Sequence, residues 1–278
     1  MTDFSEIPEY GRYVATDEYR SGLHYPAVMR ELGELPGKRV LDIGTGNSPF
    51  PHLLAKQGAF VVGYDRSPKQ IELARAHEDA RSLDIEYVVG TPQTFSDHRR
   101  FDSATSVMVL PYAENVAELG TFFQSVNQHL VAGGRFVSVT LNPRFTKFET
   151  NFFVRRMTKL EGNLVKMEFM KRTGEPGLQE PLFKRQYTQA EYEQAVTSAG
   201  MSVAWKPMIA TSQAVAEEGE EFWRPVQEAQ PYILLVAQKR YPISPLSLLE
   251  DECPPTSGRG DCGAAPRISP APGQEKAR

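Results

Sequence analysis

Cysteine is almost missing from this chain of 278 residues: there are two, Cys253 and Cys262, both near its carboxyl end. With none before them, neither a disulfide framework nor a cysteine-based zinc site can organise the bulk of the sequence. Long apolar runs are missing too, and no stretch approaches the roughly 18 residues of a membrane span. The amino terminus, Met1-Thr2-Asp3-Phe4-Ser5-Glu6, has no apolar signal core, so the expected location is cytoplasmic. No basic run of five or more residues occurs and the formal net charge is −4, which argues against a nucleic-acid backbone as partner. The expected associations are therefore with neither nucleic acid nor membrane. What remains is the composition of a soluble globular protein, long enough for one well-packed domain with additions.

The most informative stretch is Arg39-Val40-Leu41-Asp42-Ile43-Gly44-Thr45-Gly46-Asn47-Ser48-Pro49. Val40, Leu41 and Ile43 have the character of a strand covered on both faces. Gly44 and Gly46 permit a tight turn and close approach of a ligand to the backbone. Ser48 and Pro49 read as the cap and first residue of a helix. This places a loop and the positive end of a helix at the carboxyl edge of a strand, where open α/β sheets bind nucleotides. About twenty residues on, Phe60-Val61-Val62-Gly63-Tyr64-Asp65 forms a second strand ending in an acid able to accept both ribose hydroxyls.

Two nucleotide families use this layout. The dinucleotide fingerprint G-x-G-x-x-G would need a glycine where Pro49 stands, which weakens an NAD(P)-dependent oxidoreductase reading. Asp42-Ile43-Gly44-Thr45-Gly46 instead resembles the D/E-x-G-x-G motif of class I S-adenosylmethionine-dependent methyltransferases. The run Leu130-Val131-Ala132-Gly133-Gly134-Arg135-Phe136 also resembles that family's L-x-P-G-G-x-F turn, with Ala132 in place of proline. The resemblance covers about residues 38 to 141.

Along the chain, residues 17 to 33 have helical spacing, with Tyr25, Val28, Met29 and Leu32 on one face. Ser67-Pro68 opens a further helix. Ile85–Val89 and Phe101–Leu110 read as the third and fourth strands, with a helix carrying Val116, Leu119, Phe122, Phe123, Val126 and Leu130 after them. Gly133-Gly134 is expected to end that helix before a fifth strand, Arg135–Leu141. Strands alternating with helices imply a parallel sheet. Leu164–Met170 and Leu182–Tyr187 read as strands, and Thr188-Gln189-Ala190-Glu191 as a capping box for a helix ending at Gly200. Met201–Trp205 and Tyr232–Ala237 complete the strands. The expected fold is therefore α/β: a Rossmann-like, seven-stranded, mostly parallel sheet with helices on both faces, the last strand antiparallel as the family resemblance implies. Residues 1–37 form an amino-terminal helical lid, 38–240 the methyltransferase domain, and 142–187 a substrate-covering insertion after the fifth strand. Residues 241–278, rich in Pro, Ser, Gly and Ala, read as a disordered tail.

The resemblance implies S-adenosylmethionine as cofactor, with Gly44, Thr45 and Gly46 against its methionine part and Asp65 on its ribose. Asp42 is expected to orient the loop or the cofactor amino group. Thr91 or Gln93 stands where the family commonly has an adenine-binding aspartate, and Arg66 could border the adenine. Val109 lies at the end of the fourth strand, facing the transferred methyl. Among the tyrosines Tyr10, Tyr13 and Tyr19, Tyr13 is a candidate for the sulfonium or the cofactor carboxylate, the alternative being a capping role at the sheet edge. His24 on the lid helix is the candidate general base, the alternative being a packing residue. Leu110-Pro111-Tyr112 lacks the doubled proline of the amino-group methyltransferases of DNA. Tyr112-Ala113, Leu141-Asn142-Pro143 and the segment from Tyr25-Pro26 to Leu35 resemble, more loosely, bacterial small-molecule enzymes that include the toxoflavin-pathway N-methyltransferase. That favours a small acceptor, such as a heterocyclic metabolite, methylated at nitrogen or oxygen, with Tyr112, Asn142, Phe153 and Trp205 as acceptor-pocket candidates. The expected assembly is a monomer or homodimer with no metal. A non-catalytic cofactor-binding scaffold is the other rival, and a pocket filled by side chains from residues 142 to 187 would mark it.

Overall fold

The computed structural model describes residues 13–241 apart from 15, 80–82, 150, 151, 153, 172, 174 and 179. A π-helical turn, Arg20–His24, runs directly into helix α1 (Tyr25–Leu32). Then β1 (Arg39–Ile43), α2 (Phe50–Lys56), β2 (Phe60–Asp65), α3 (Pro68–Asp79), β3 (Glu86–Val89) and β4 (Phe101–Val107) alternate. A 3-10 turn (Leu110–Tyr112) leads to α4 (Val116–His129) and β5 (Leu130–Leu141). The strands β6 (Arg155–Lys159), β7 (Leu164–Phe169) and β8 (Leu182–Arg185) follow, then α5 (Gln189–Ser198), β9 (Met201–Lys206), α6 (Ser212–Glu218), α7 (Glu220–Ala229) and β10 (Tyr232–Lys239).

Seven strands make the main sheet in the order β3-β2-β1-β4-β5-β10-β9. The pairings among β3, β2, β1, β4 and β5 are parallel, and β10 runs antiparallel to both β5 and β9. Neighbouring residues of one strand point to opposite faces, and both faces are covered. Val40, Val61, Val137 and Leu234 join one buried cluster with Leu23, Val28, Phe50 and Trp223. Leu41, Val62, Phe136 and Leu235 join the other with Leu119, Phe123 and Tyr192. That is why β1, β2 and β10 read as continuous apolar runs. The three-stranded antiparallel sheet β6-β7-β8 packs Met157, Val165, Met167 and Leu182 into the first cluster.

Several local expectations are met. The helix over residues 17–33 is present as the π turn with α1, the Ser67 hydroxyl accepts the Gln70 N–H at 3.4 Å to open α3, and the capping box at Thr188 and Glu191 is complete. Others are corrected. Ser48 does not cap α2, which begins at Phe50 with Pro49 in the cap position and no side-chain acceptor. Gly133-Gly134 does not end α4: that helix stops at His129, Leu130 is already extended, and the glycines lie within β5. The pairing of β4 with β5 shifts register between Phe101 and Ser103, which accommodates the glycine pair. Strand β6 and helices α6 and α7 were not anticipated. The stretch after 241 and both cysteines lie outside the described residues.

Candidate active site

The carboxyl ends of β1, β2 and β4 converge. Beyond β1, Gly44 and Gly46 adopt φ of +65° and +52°, the left-handed region that side chains disfavour. A Cβ on Gly44 would also lie 2.5 Å from a methyl of Val109. The Gly44 and Thr45 N–H groups donate to the Tyr64 carbonyl at 2.8 and 3.0 Å, which ties the loop to the end of β2. There the Asp65 carboxylate accepts the Gly46 N–H on one oxygen and the Ser67 N–H on the other, each at 2.9 Å. Burial raises the Asp65 carboxyl above its ordinary value, and these two amides oppose the rise. After β4, Met108 takes a φ of +64°, costly for a bulky residue, and its N–H donates to the Val139 carbonyl at 2.9 Å.

Between these ends lies a cavity of about 370 Å³, within the size range of small-molecule sites. Gly44, Thr45, Gly46, Asp65 and Arg66 line one side, Thr91 and Gln93 another, and Val109 and Tyr112 a third, so nine residues singled out from sequence meet in one place. Asp42 lies beneath the loop rather than in the cavity wall. It is buried, accepts a hydrogen bond from the Thr105 hydroxyl at 2.8 Å, and burial pushes its carboxyl up to about 6.

A second, water-sized void of about 10 Å³ adjoins, sharing Val14, Arg20 and Met108 with the first. Tyr13 and His24 line it, together with Asp17, Arg155 and Lys184. His24 is 1% exposed with neither ring nitrogen hydrogen-bonded, and burial, then Arg155, Arg20 and Lys184, hold it well below the usual histidine range. Tyr19 is a packing residue: its hydroxyl donates to the Phe152 carbonyl at 2.7 Å, and Arg155 lies over its ring.

Two acceptor-pocket candidates are corrected. Asn142 lines neither cavity; its amide donates to the Gln230 carbonyl at 2.8 Å, and its oxygen accepts the Arg144 N–H at 3.0 Å, which closes the turn after β5. Trp205 stands edge-on to Tyr192 and donates to Glu193 at 3.0 Å, holding β9 to α5 away from either cavity. Phe153 and Tyr10 lie outside the described residues.

Residues 41–138 match the family described as "Methyltransferase domain". That segment contains the glycine loop, Asp65, and the Val109–Tyr112 turn. Residues 41–138 are a class I methyltransferase domain. The chain is 33% identical, over 126 residues, to a ubiquinone biosynthesis O-methyltransferase of Azorhizobium caulinodans, covering 45% of this chain and 49% of that protein. It thus spans about half the length of the curated relatives it matches. In fold it is similar to an S-adenosylmethionine-dependent methyltransferase from Clostridium acetobutylicum (17% identity, TM-score 0.58, 85% of this chain and 98% of that one). It is likewise similar to a SAM-bound amino pentose methyltransferase from Micromonospora echinaspora (19% identity, TM-score 0.55, 86% of this chain and 98% of that one).

The methyltransferase domain's residues fit the family's cofactor, S-adenosylmethionine. Gly44 leaves a cradle that a Cβ would fill, and Asp65 is held by two backbone amides with lone pairs left for a diol. Arg20 and Met108 also line the main cavity and were missed from sequence. Arg20 stood in an ordinary helical pattern, and nothing local marks Met108 as a left-handed residue.

Proposed function

We propose that this protein transfers a methyl group from S-adenosylmethionine to a nitrogen or oxygen of a small-molecule acceptor. One observation carries the reading: a single cavity joins the glycine loop and Asp65 to Val109 and Tyr112, and no described residue from 142 to 187 lines it. A scaffold filled by its own insertion would lack that space. The cofactor, when bound, supplies a methyl already activated by a positively charged sulfur. The Gly44–Gly46 loop would hold its methionine part and Asp65 the ribose hydroxyls, with Arg66, Thr91 and Gln93 bordering the adenine. Val109, Met108 and Tyr112 would confine the acceptor beside the methyl and exclude water, which is most of what an in-line displacement asks of a protein.

Asp42 would steady the loop from below. Tyr13 and His24 would serve from the smaller void, His24 being the neutral candidate to take the acceptor's proton. The amino-terminal helix and the β6-β7-β8 sheet would form the cover. The Azorhizobium relative, named as an O-methyltransferase, favours oxygen, and phenols and heterocycles are the acceptors to screen first.

Calorimetry with S-adenosylhomocysteine and, in parallel, NADH tests this. Micromolar binding of the first alone is expected. Gly46→Val, which forces a branched side chain into the left-handed region, and Asp65→Ala should each weaken it by about tenfold or more. Unchanged affinity in both variants, or binding of NADH instead, overturns the site.

A further inference from the structure

Three side chains in the wall of the smaller void carry buried polar atoms with no hydrogen-bond partner. These atoms are the Tyr13 hydroxyl, both ring nitrogens of His24 and one terminal nitrogen of Arg155. Packing fixes each of the three. Tyr13 stands edge-on to Phe169 with ring centres 4.9 Å apart, and His24 stands edge-on to Tyr232 at 4.9 Å. Arg155 lies over the Tyr19 ring at 4.6 Å and the Phe169 ring at 5.2 Å, while its other terminal nitrogen pairs with Asp17. The neighbouring groups are turned elsewhere. Asp17 accepts the Tyr19 N–H at 3.1 Å besides pairing with Arg155, and the Tyr232 hydroxyl faces the Met167 sulfur at 3.9 Å. Burial holds the Lys184 amine well below the usual lysine range.

Buried polar groups are normally completed by a partner, and these atoms surround one opening. Its volume of about 10 Å³ takes a single oxygen with its hydrogen, and no aromatic ring. The wall decides what that oxygen must be. The Arg155 nitrogen can only donate. Burial raises the Tyr13 hydroxyl, which therefore keeps its proton and can donate as well. Burial above all holds His24 well below the usual histidine range, so its imidazole is neutral and one nitrogen is bare to accept. A carbonyl oxygen would answer Arg155 and Tyr13 and give nothing to that bare nitrogen. A hydroxyl answers all three, accepting from Arg155 and Tyr13 and donating to His24. It enters from the main cavity, with which the void shares Val14, Arg20 and Met108, and the body that carries it stays in the larger space.

We propose that the smaller void receives a hydroxyl group of the methyl acceptor, hydrogen-bonded by Tyr13, His24 and Arg155, while the rest of the acceptor lies in the main cavity. The inference rests on the methyl-transfer reading above and deepens it. Arg155 of β6 thereby takes part in selecting the acceptor, and the small sheet β6-β7-β8 has a role distinct from that of the main sheet, which holds the cofactor.

Calorimetry on the full chain decides it. S-adenosylhomocysteine is titrated first. The saturated protein is then titrated with phenol and catechol, and with fluorobenzene and ortho-difluorobenzene, which match them in size and have no O–H. The hydroxylated probes are expected to bind about tenfold or more tighter than their fluorinated partners. Tyr13→Phe and His24→Phe should each weaken phenol and catechol by about fivefold or more. Both variants should keep S-adenosylhomocysteine affinity within about twofold, since neither residue lines the glycine-loop cavity. Melting curves establish that the variants are folded, and His24→Leu is the alternative apolar variant. Hydroxylated probes that bind no better than the fluorinated ones, that fail to bind at millimolar concentration, or whose binding is indifferent to both variants each overturn the proposal; the void then holds a resident water only. So does a Tyr13→Phe or His24→Phe variant that loses S-adenosylhomocysteine affinity but keeps that of 5′-methylthioadenosine, which has no amino-acid part; the void would then serve the cofactor. If S-adenosylhomocysteine does not bind the unmodified protein, the methyl-transfer reading fails. The comparison of hydroxylated with fluorinated probes on the free protein then still decides whether the void is a hydroxyl site.

Discussion

Asp42 shows how one side chain can be legible in type and hidden in role. Its place two residues before Gly44 marks it from sequence, but the structure puts it under the loop, buried and bonded to Thr105. Burial lifts its carboxyl from 3.8 to about 6, so the folded state prefers the proton. Its contribution to stability is then fully present below the unfolded value and is lost as the pH rises through about 6. Asp42→Asn, which cannot ionise, should exceed the parent protein in stability at neutral pH by up to about 3 kcal/mol. The two should converge below about pH 4. Denaturant melts across that range check it; a constant difference at every pH would place the cost of Asp42 elsewhere. Met108 is the opposite case. Its backbone conformation separates the two cavities, yet no residue pattern announces it, because the strain is imposed by β4 and β5 around it.

Elements followed their local signals where those signals are self-contained. The Thr188–Glu191 box needs only its own four residues, and both reciprocal bonds form, at 3.2 Å from the Glu191 N–H and 2.7 Å from the Thr188 N–H. Thr188→Ala should cost about 1 kcal/mol, read as a lower denaturation midpoint at unchanged slope, because α5 loses an N-cap while its buried face is untouched. Signals that depend on a neighbour were misread. Ser48 is a good cap by type, but the chain leaves the glycine loop one residue further on and α2 starts at Phe50. Gly133-Gly134 looks like a helix stop, but pairing with β4 and β10 carries that stretch into a strand. Helices α6 and α7 were not anticipated, although Phe222, Trp223 and Val226 stand at helical spacing; in the structure they form the buried stripe of α7.

The molecule as a whole is organised by a sheet covered on both faces, and its stability is shared across that sheet. Leu235, fully buried at the centre of β10 between β5 and β9, is expected to cost about 2 to 5 kcal/mol when replaced by alanine. Because β10 joins two strands, one cooperative transition at a lower midpoint should result rather than two. Ligand linkage gives a second whole-molecule expectation. S-adenosylhomocysteine at a hundredfold excess over its Kd should raise stability by about 2.7 kcal/mol if it binds only the folded state. A melting temperature indifferent to that ligand would contradict the cofactor site at the level of the entire fold.

Composition, strand-helix cadence and the Asp42–Gly46 and Asp65 spacing were sufficient to determine the fold class and to single out residues that line the main cavity. Each of those features is short-range: a turn needs its glycines, a strand its β-branched run, a helix its cap. The cluster at the smaller void was decided only in three dimensions. Arg20, Arg155 and Lys184 are separated by most of the chain, and on their own strands and helix they read as ordinary surface charges. Packing of β6 and β8 against the amino-terminal helix turns them inward to one void, because the pleat sends alternate side chains to the same face whatever their charge.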